Sequence, residues 1–342
     1  MGGCGASSRA GIGAAAVVGA LSAVLAGCRV EWGPPGGAVP AESAAGPVEL
    51  WVYTSVYPEV LKTLEAPLAA AVPQAKVSWF QAGSEKVAAR FEAELAGGGS
   101  PACVLLTSDP AWLEDLSARG ALRPYVSPGA LGVDRRWLRP TWAAVRVSVM
   151  VLGGPPGGPA SWEDLRDPRF RGTFSSGDPL ASGTAFTTVA AWERAFGPGF
   201  LPAVAANGWM AAGGNSAVLA RMESGERPHG VVLLENLLAK GLPFTVPAEG
   251  AVAVPGPAAI AAGCPQPAAA QAVVDWLFTP EAQALFVAGQ MHSPLSGVAP
   301  PPGAPPLGAL PLLPEPEGFW AGLAAEGPAL KERVRRLRDA GP

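Results

Sequence analysis

The stretch DPLASGTAF, residues 178–186, places small polar residues at the start of a predicted helix. Ser182 and Thr184 offer hydroxyl groups. The segment from Gly183 to Ala185 offers backbone N–H groups, which together with the positive end of the helix dipole favour an anion. The same residue types also cap helices, which stabilises a helix by about 1 kcal/mol. This stretch alone therefore fits either a helix cap or an anion site.

Similar polar loops recur along the chain, each at or near the start of a predicted helix. They are Thr54-Ser55, Gly83-Ser84, Thr107-Ser108-Asp109 and Asn215-Ser216. The first three follow predicted strands, and the carboxyl ends of parallel strands share one edge of a sheet, where ligands bind. We therefore expect these loops to line one cleft.

Two charged residues complete the candidate site. Arg146 lies within the strand-like run 142–152 and could add a charged donor, or could be an exposed strand residue. Glu235 follows the apolar run that begins at His229. We expect Glu235 or Asp109 to hold a hydroxyl or ammonium group at the other end of an anionic ligand.

The sequence lacks the usual catalytic and metal-binding patterns. Its two histidines, His229 and His292, lie in no HExxH frame and near no cysteine pair. Neither a GxSxG elbow nor a GxxxxGK[ST] loop occurs, and the carboxylates form no telling pair. The pattern predicts a binding protein without a cofactor or a resident metal, rather than an enzyme.

Composition narrows the class of partner. The 342-residue chain is 49% hydrophobic and 15% charged, with a formal net charge of −4 and no long basic block. Nucleic-acid binding requires clustered Lys and Arg to neutralise phosphates, so it has little support. The length suits two compact lobes.

The N-terminus predicts export. Arg9 precedes an apolar run that ends at Leu25-Ala26-Gly27-Cys28, a pattern typical of a signal peptide and similar to the bacterial lipoprotein signal. We predict a signal peptide at 1–27, lipidation of Cys28 and a flexible tether at 28–47 that is rich in Gly, Pro and Ala. The run is too short to favour a permanent span. The membrane would be reached through the lipid alone.

Two further cysteines, Cys103 and Cys264, remain in the mature chain. They could form one disulfide in an oxidising compartment or stay as buried thiols. The sequence leaves both alternatives open.

The elements that must position the polar loops begin at Val48, where apolar strand and helix patterns alternate as β-α-β-α-β. This order predicts a parallel sheet with helices on its faces. Pro67 is expected to kink or split the first helix, and Ser161 to cap a helix at SWEDL. The last helix, at about 318–339, carries the basic run KERVRRLR, interpreted as a solvated face.

Several stretches resemble extracellular solute-binding proteins of ABC importers, in the subgroup of ferric-iron-binding and phosphonate- or sugar-phosphate-binding receptors. They are VYTSVYPEVL, LLTSDPAWLEDLSARGALRPY, SWEDLRDPRFRGTF, DPLASGTAF and VVDWLFTPEAQALFVAGQ. The resemblance implies a two-lobe α/β fold of the type 2 periplasmic-binding-protein class, with mixed, mostly parallel sheets. It also implies a monomeric receptor at the cell envelope that serves an ABC permease and its ATPase.

The resemblance implies where the lobes and the anion contacts lie. Lobe 1 would comprise 48–141 and 252–297, and lobe 2 would comprise 142–251 with the tail 298–342. The family's anion contacts correspond here to Thr54, Ser55, Ser182 to Ala185, Asn215 and Ser216, with Gly83 and Ser84 on the same rim.

The chain departs from the ferric receptors, which carry adjacent tyrosines where Glu235 and Asn236 stand here. Tyr57 lies near a position that can supply a metal ligand, so a set of Tyr57, Glu235 and Asp109 is the alternative for iron. A small anion, most readily a phosphonate or phosphate ester, is the favoured ligand. A hydrolase on the same scaffold is a further alternative.

Overall fold

The computed structural model describes residues 46–339, which form ten strands and ten α-helices around a single mixed sheet. The strands are β1 (Val48–Thr54), β2 (Ala75–Gln81), β3 (Ala102–Leu106), β4 (Leu122–Arg123), β5 (Trp142–Gly153), β6 (Phe174–Ser176), β7 (Met210–Ala211), β8 (His229–Leu233), β9 (Phe244–Thr245) and β10 (Val252–Ala261). The helices are α1 (Pro58–Ala71), α2 (Ser84–Ala96), α3 (Pro110–Ala118), α4 (Gly183–Phe196), α5 (Phe200–Ala206), α6 (Asn215–Ser224), α7 (Leu234–Lys240), α8 (Pro267–Leu277), α9 (Pro280–Ala288) and α10 (Phe319–Asp339).

Two parallel sets of strands flank a pair of long crossing strands. The order is β2-β1-β3-β10-β5-β8-β6-β7, with β4 on β10 and β9 on β5. β1 pairs in parallel with β2 and β3, and β6 does so with β7 and β8. The pairs that involve β5 or β10 are antiparallel. The two α/β halves are therefore joined through β5 and β10.

The crossing strands are irregular at their middle. The register between β5 and β10 shifts between Gly256 and Pro257, opposite Arg146. A proline has no N–H to give to a neighbouring strand, which explains a bulge at this point. The irregularity thus lies between the part of β10 that pairs with β3 and the part opposite the β8 end of β5.

The predicted β-α-β-α-β start is present, with one correction to α1. Val60, Leu64 and Leu68 are buried on one face, as a four-residue spacing requires. The helix nevertheless runs without a break through Pro67 to Ala71. The proline removes one hydrogen bond near the C-terminal end, where little of the helix remains to be disrupted.

The predicted helix at SWEDL is also corrected. Ser161 and Asp164 form the expected reciprocal cap, since each side chain accepts a hydrogen bond from the other's backbone N–H. The segment that follows is only a 3₁₀ turn, Glu163–Arg166. Pro168 stands two residues beyond it and disfavours helical backbone at the residue before it.

The C-terminal helix makes contacts that its sequence pattern does not indicate. α10 packs mainly against α3 and also touches α4 and α5, so it contacts elements of both 48–141 and 142–251. The arginines of its basic run are exposed, as the sequence predicts, and some also form ion pairs. Lys331 donates to Glu85 of α2 at 2.8 Å, and Arg333 pairs with Glu193 of α4.

Cys103 and Cys264 are joined by a disulfide. Both are almost completely buried, Cys103 in β3 and Cys264 just beyond β10. The two strands are antiparallel neighbours, which brings the cysteines together. Of the two possibilities that the sequence leaves open, a disulfide or two buried thiols, the structure contains the disulfide.

Within residues 46–339, no helix is long and apolar enough to cross a membrane. The predicted signal peptide 1–27, Cys28 and nearly all of the tether 28–47 lie outside the described residues.

Candidate functional site

A cavity of about 160 Å³ lies where the polar loops meet, on the side of the sheet where several strands end. Its wall consists of Ser55, Val56, Tyr57, Gly83, Ser84, Ser108, Arg146, Ser148, Ala181, Ser182, Gly183, Thr184, Gly214, Asn215, Ser216, Leu233, Glu235 and Met291. The wall draws on loops after β1, β2 and β3, on the starts of α4 and α6, and on the middle of β5. Both halves of the fold therefore contribute to one cavity.

Three helices begin at the wall of this cavity. α2 begins at Ser84, α4 at Gly183 and α6 at Asn215, and these three residues line the cavity. Ser182 caps α4, since its Oγ accepts a hydrogen bond from the N–H of Ala185 at 3.4 Å. The cap interpretation of this serine is thus correct, and the same residue also lines the cavity.

Gly183 is placed where only a glycine fits. A β-carbon there would lie 2.9 Å from the carbonyl oxygen of Ser108 and 3.1 Å from the β-carbon of Ser84. The first turn of α4 therefore touches the loops after β2 and β3 directly. The two halves are closed against each other at this point.

A chain of side chains forms the floor of the cavity. Arg146 donates to Ser108 Oγ at 2.7 Å and to Ser148 Oγ at 2.9 Å. Ser148 Oγ donates to Glu235 Oε1 at 2.7 Å, and Ser55 Oγ lies 3.2 Å from Ser108 Oγ. An arginine and a carboxylate thus share the floor, linked by a hydroxyl rather than in direct contact.

Both charges are deeply buried. Arg146 is 3% exposed and Glu235 is 4% exposed. Burial lowers the pKa of Arg146, although Glu235 and Tyr57 oppose the change. Burial raises the pKa of Glu235 to about 7, against the opposing effects of Arg146 and the Ser148 hydrogen bond. Burying a charge this deeply costs desolvation free energy unless a partner compensates it. The floor therefore favours a ligand with polar or charged groups.

Two polar atoms of the wall lack partners among the described residues. The Nε of Arg146 and the Oδ1 of Asn215 are buried and make no hydrogen bond there. The Nδ2 of Asn215 donates to Thr184 Oγ1 at 3.2 Å, which ties α6 to α4. An unpaired buried donor or acceptor costs about 1–3 kcal/mol, so these atoms are candidates for contact with a ligand.

Tyr57 is held as a neutral phenol. Its hydroxyl donates to Asn236 Oδ1 at 3.3 Å. Burial, followed by the negative charge of Glu235, raises the pKa of Tyr57 to about 12. This environment opposes the phenolate form that would bind a hard metal ion.

The structure brings most of the predicted residues together. Eleven of the fourteen line the cavity. Thr54, Asp109 and Ala185 do not line it. Each takes part in a local hydrogen bond that involves a backbone N–H. Thr54 Oγ1 accepts the N–H of Val56, Asp109 caps α3 by accepting the N–H of Trp112, and Ala185 donates its N–H to Ser182.

The predicted iron set is only partly assembled. Tyr57 and Glu235 line the cavity, whereas Asp109 does not. Burial raises the pKa of Asp109 to about 6, and its carboxylate is engaged at the start of α3. Within residues 46–339, no group of three or more His, Cys, Asp or Glu side chains is placed to hold a metal ion.

Ser108, in one of the predicted loops, also lines the wall. Six further wall residues were not predicted, namely Val56, Ser148, Ala181, Gly214, Leu233 and Met291. Ser148 could have been found, because it stands two residues from Arg146 on a strand and shares its face. Met291 carries no such indication in the sequence.

The chain matches the family model described as bacterial extracellular solute-binding protein over residues 52–289. The chain therefore belongs to the bacterial extracellular solute-binding proteins, and the predicted resemblance is confirmed. It is a solute-binding protein of the ABC-importer type. A search of curated protein sequences finds no match.

Solved structures confirm the predicted two-lobe fold. The periplasmic binding protein AfuA from Actinobacillus pleuropneumoniae, with fructose-6-phosphate bound, has a TM-score of 0.73 and 21% identity, covering 83% of this chain and 97% of AfuA. Iron-bound HitA from Pseudomonas aeruginosa has a TM-score of 0.73 and 21% identity, covering 84% and 99%. Ferric binding protein from Campylobacter jejuni has a TM-score of 0.73 and 17% identity, covering 83% and 99%.

Proposed function

We propose that this receptor captures a small anion between its two lobes, most readily a phosphonate or phosphate ester, and delivers it to an ABC permease with its ATPase. The observation that carries the proposal is Arg146, a buried cation in the cavity wall whose Nε has no partner among the described residues. A ligand anion would compensate this charge and accept its free N–H.

The helix starts support the same ligand charge. Ser84, Gly183 and Asn215 begin helices at the wall, and helix N-termini favour anions through their free N–H groups and the helix dipole. Three such helices converging near one arginine form a stronger anion site than a single capped helix. Glu235 would meet a hydrogen-bond donor of the ligand on the same floor.

The lobes would be 48–141 with 252–297 and 142–251, with β5 and β10 as the connection. Ligand binding would close them by a hinge, as in other two-lobe receptors. α10 is shared between them in this proposal, because it contacts α3 of one and α4 of the other. We expect the receptor to act as a monomer without turnover of its ligand.

Known relatives supply the two ligand classes to test. AfuA is described with fructose-6-phosphate, a phosphate ester, and HitA with iron. The raised pKa of Tyr57 and the engagement of Asp109 as the cap of α3, outside the cavity wall, favour the anion. Iron remains the alternative that the experiment must separate.

Titration calorimetry of the purified protein tests the proposal. We expect heat from methylphosphonate, inorganic phosphate or glycerol phosphate, and none from ferric citrate. Arg146→Met should weaken anion binding roughly 10- to 100-fold, since hydrogen bonds to charged groups contribute about 1.5–3 kcal/mol. Arg135→Met, at an exposed arginine, is the matched control.

Three outcomes would contradict the anion proposal. The first is binding of ferric iron with a visible charge-transfer band that Tyr57→Phe or Glu235→Gln abolishes. The second is release of phosphate from an ester substrate, which would indicate a hydrolase. The third is absence of heat from every phosphorus compound.

The lipid anchor is a separate proposal. Cys28→Ser should release the receptor from the membrane fraction and prevent incorporation of labelled fatty acid. If the wild-type protein carries no lipid, the predicted anchor is wrong, whereas the ligand proposal is unaffected.

A further inference from the structure

The cavity wall contains hydrogen-bond acceptors as well as the donors that an anion site requires. Glu235 accepts one hydrogen bond from a side chain, that of Ser148, and within residues 46–339 no other side chain donates to its carboxylate. Asn215 adds an acceptor, Oδ1, that has no partner in the same part of the chain. A ligand that presents only acceptor atoms would leave the Asn215 oxygen without a partner and would give Glu235 no donor beyond Ser148.

Arg146 does not neutralise Glu235 by direct contact. Its two terminal nitrogens donate to Ser108 and Ser148, and no ion pair between Arg146 and Glu235 occurs among the described residues. The arginine is therefore free to bind an anion, while the carboxylate retains its own requirement for a donor. Tyr57 cannot meet this requirement, because its hydroxyl donates to Asn236.

Arg146 and Glu235 line the same small cavity. Its volume is about 160 Å³, and an engineered cavity of about 150 Å³ holds one benzene molecule. An oxyanion with one or two carbons would fill such a space and could contact both residues at once.

We infer, on the basis of the proposed function, that Glu235 restricts the ligand to small phosphorus oxyanions that carry a P–OH proton and excludes sulfonates of the same size. A phosphonate monoanion keeps one proton, which it donates to Glu235, while its other oxygens accept from Arg146 and the helix N–H groups. A sulfonate has the same shape and charge but no proton. Its oxygens meet the carboxylate as like charge and give it no donor beyond Ser148.

The matched pair of probes is methylphosphonate and methanesulfonate, titrated into the wild-type protein near pH 7.5, where most of Glu235 is ionised. We expect the sulfonate to bind roughly 10- to 100-fold more weakly, the range for leaving a buried charged acceptor without its donor. In Glu235→Gln the amide can donate to either oxyanion. The difference between the two probes should then shrink to about 3-fold or less.

Glu223→Gln is the matched control, because Glu223 is exposed and pairs with Lys240 away from the cavity wall. It should keep the full wild-type difference between the probes. If Glu235→Gln does not fold, the pH dependence of the wild-type protein provides a second measurement. The groups that face Glu235 are Arg146 of β5 and Tyr57. Arginine stays protonated in proteins, and Tyr57, with a pKa of about 12, keeps its proton between pH 6 and 8. Protonated Glu235 can donate, so methanesulfonate should bind more tightly at pH 6 than at pH 8.

The outcomes separate this inference from the proposed function. Equal binding of the two probes by the wild-type protein overturns the role of Glu235 and leaves the anion receptor intact. A difference that persists in Glu235→Gln, or sulfonate binding that is flat between pH 6 and 8, also overturns it. Binding of neither probe, with ferric iron bound instead, overturns the proposed function itself.

Discussion

Arg146 owes its position to a glycine on the neighbouring strand. Gly256 of β10 stands opposite Arg146 in the register with β5. A β-carbon at Gly256 would lie 2.7–2.9 Å from the Cγ, Cζ and Nε atoms of the arginine. The guanidinium therefore lies across the backbone of β10, where a side chain would otherwise stand, and reaches the cavity from there.

Gly256→Ala tests this arrangement. We expect it to displace Arg146 and to weaken binding of methylphosphonate at least about 10-fold, since the guanidinium contributes charged hydrogen bonds of about 1.5–3 kcal/mol. Calorimetry gives the affinity, and circular dichroism checks that the fold persists. Gly263→Ala is the control, because nothing lies within 4 Å of a β-carbon there and its backbone is not left-handed. Unchanged affinity in Gly256→Ala would show that the arginine does not depend on this glycine.

Single residues show how far the site could be predicted. Loop residues such as Ser84 and Ser182 were found because a polar residue at a helix start is visible in the sequence. The same pattern misplaced Asp109, since a cap and a ligand contact require the same residue types. The link from Ser148 to Glu235 joins residues 87 positions apart, and no local pattern announces it.

At the scale of elements, α10 contacts helices from both halves of the fold, α2 from one and α4 from the other. Lys331 donates to both oxygens of Glu85, directly after Ser84 in the cavity wall. Its Nζ also lies 4.8 Å from the ring centroid of Phe186 in the first turns of α4. One side chain thus touches two helices, one from each half of the fold, whose starts both line the wall.

Lys331→Met tests whether this contact stabilises the closed state. We expect methylphosphonate to dissociate roughly 1.5- to 5-fold faster, because partly exposed ion pairs contribute about 0.2–1 kcal/mol. Stopped-flow measurements should show that high salt reduces the difference from the wild-type protein. Arg335→Met is the control, since Arg335 pairs only with Glu332 on the same helix among the described residues. An unchanged dissociation rate would exclude the role of Lys331.

Elements were predictable where their pattern is local. The helix at 318–339 was expected from its amphipathic pattern and is present as α10. Its partners were not, because Glu85 lies 246 positions and Glu193 140 positions away in the chain. Hydrophobic periodicity specifies that a face is buried, but not against which surface.

At the scale of the whole molecule, the disulfide closes a loop of 161 residues. Chain-entropy estimates for a loop of this length give about 5 kcal/mol, and measured losses are about 2–5 kcal/mol. Replacing Cys103 and Cys264 by alanine should lower the free energy of unfolding by about 2–5 kcal/mol in guanidinium titrations. Reductant should destabilise the wild-type protein to a similar extent and leave the double variant unchanged. An equal unfolding midpoint for both proteins would contradict the prediction.

A partly buried carboxyl away from the cavity affects a second property, the change of stability with pH. Glu315 accepts a hydrogen bond from Trp137 Nε1 at 2.9 Å, and burial raises its pKa to about 7. Since an unfolded Glu titrates near 4.3, the folded state binds more protons between these values. Stability therefore falls as the pH rises through this window.

Glu315→Gln should remove that contribution. Relative to the wild-type protein, the loss of unfolding free energy between pH 6 and pH 8 should shrink by about 1 kcal/mol. Thermal or urea unfolding at both pH values measures it, and the exposed Glu317→Gln is the control. Comparison with the wild type is needed because burial lowers the pKa of His229 and His292, which acts in the opposite direction. Parallel curves for the two proteins would contradict the prediction.

The bulge between Gly256 and Pro257 has a consequence for the order of events in capture. The two parallel sets of strands meet on β5 and β10, and the irregular point of that junction faces Arg146. A rotation of one half about this point displaces the rims of the cleft, such as Gly183, far more than it displaces the arginine. The guanidinium is then in nearly the same place before and after closure. A solute can therefore dock on it while the cleft is still open, and the helix starts reach the solute second. The receptor would recognise charge first and shape afterwards.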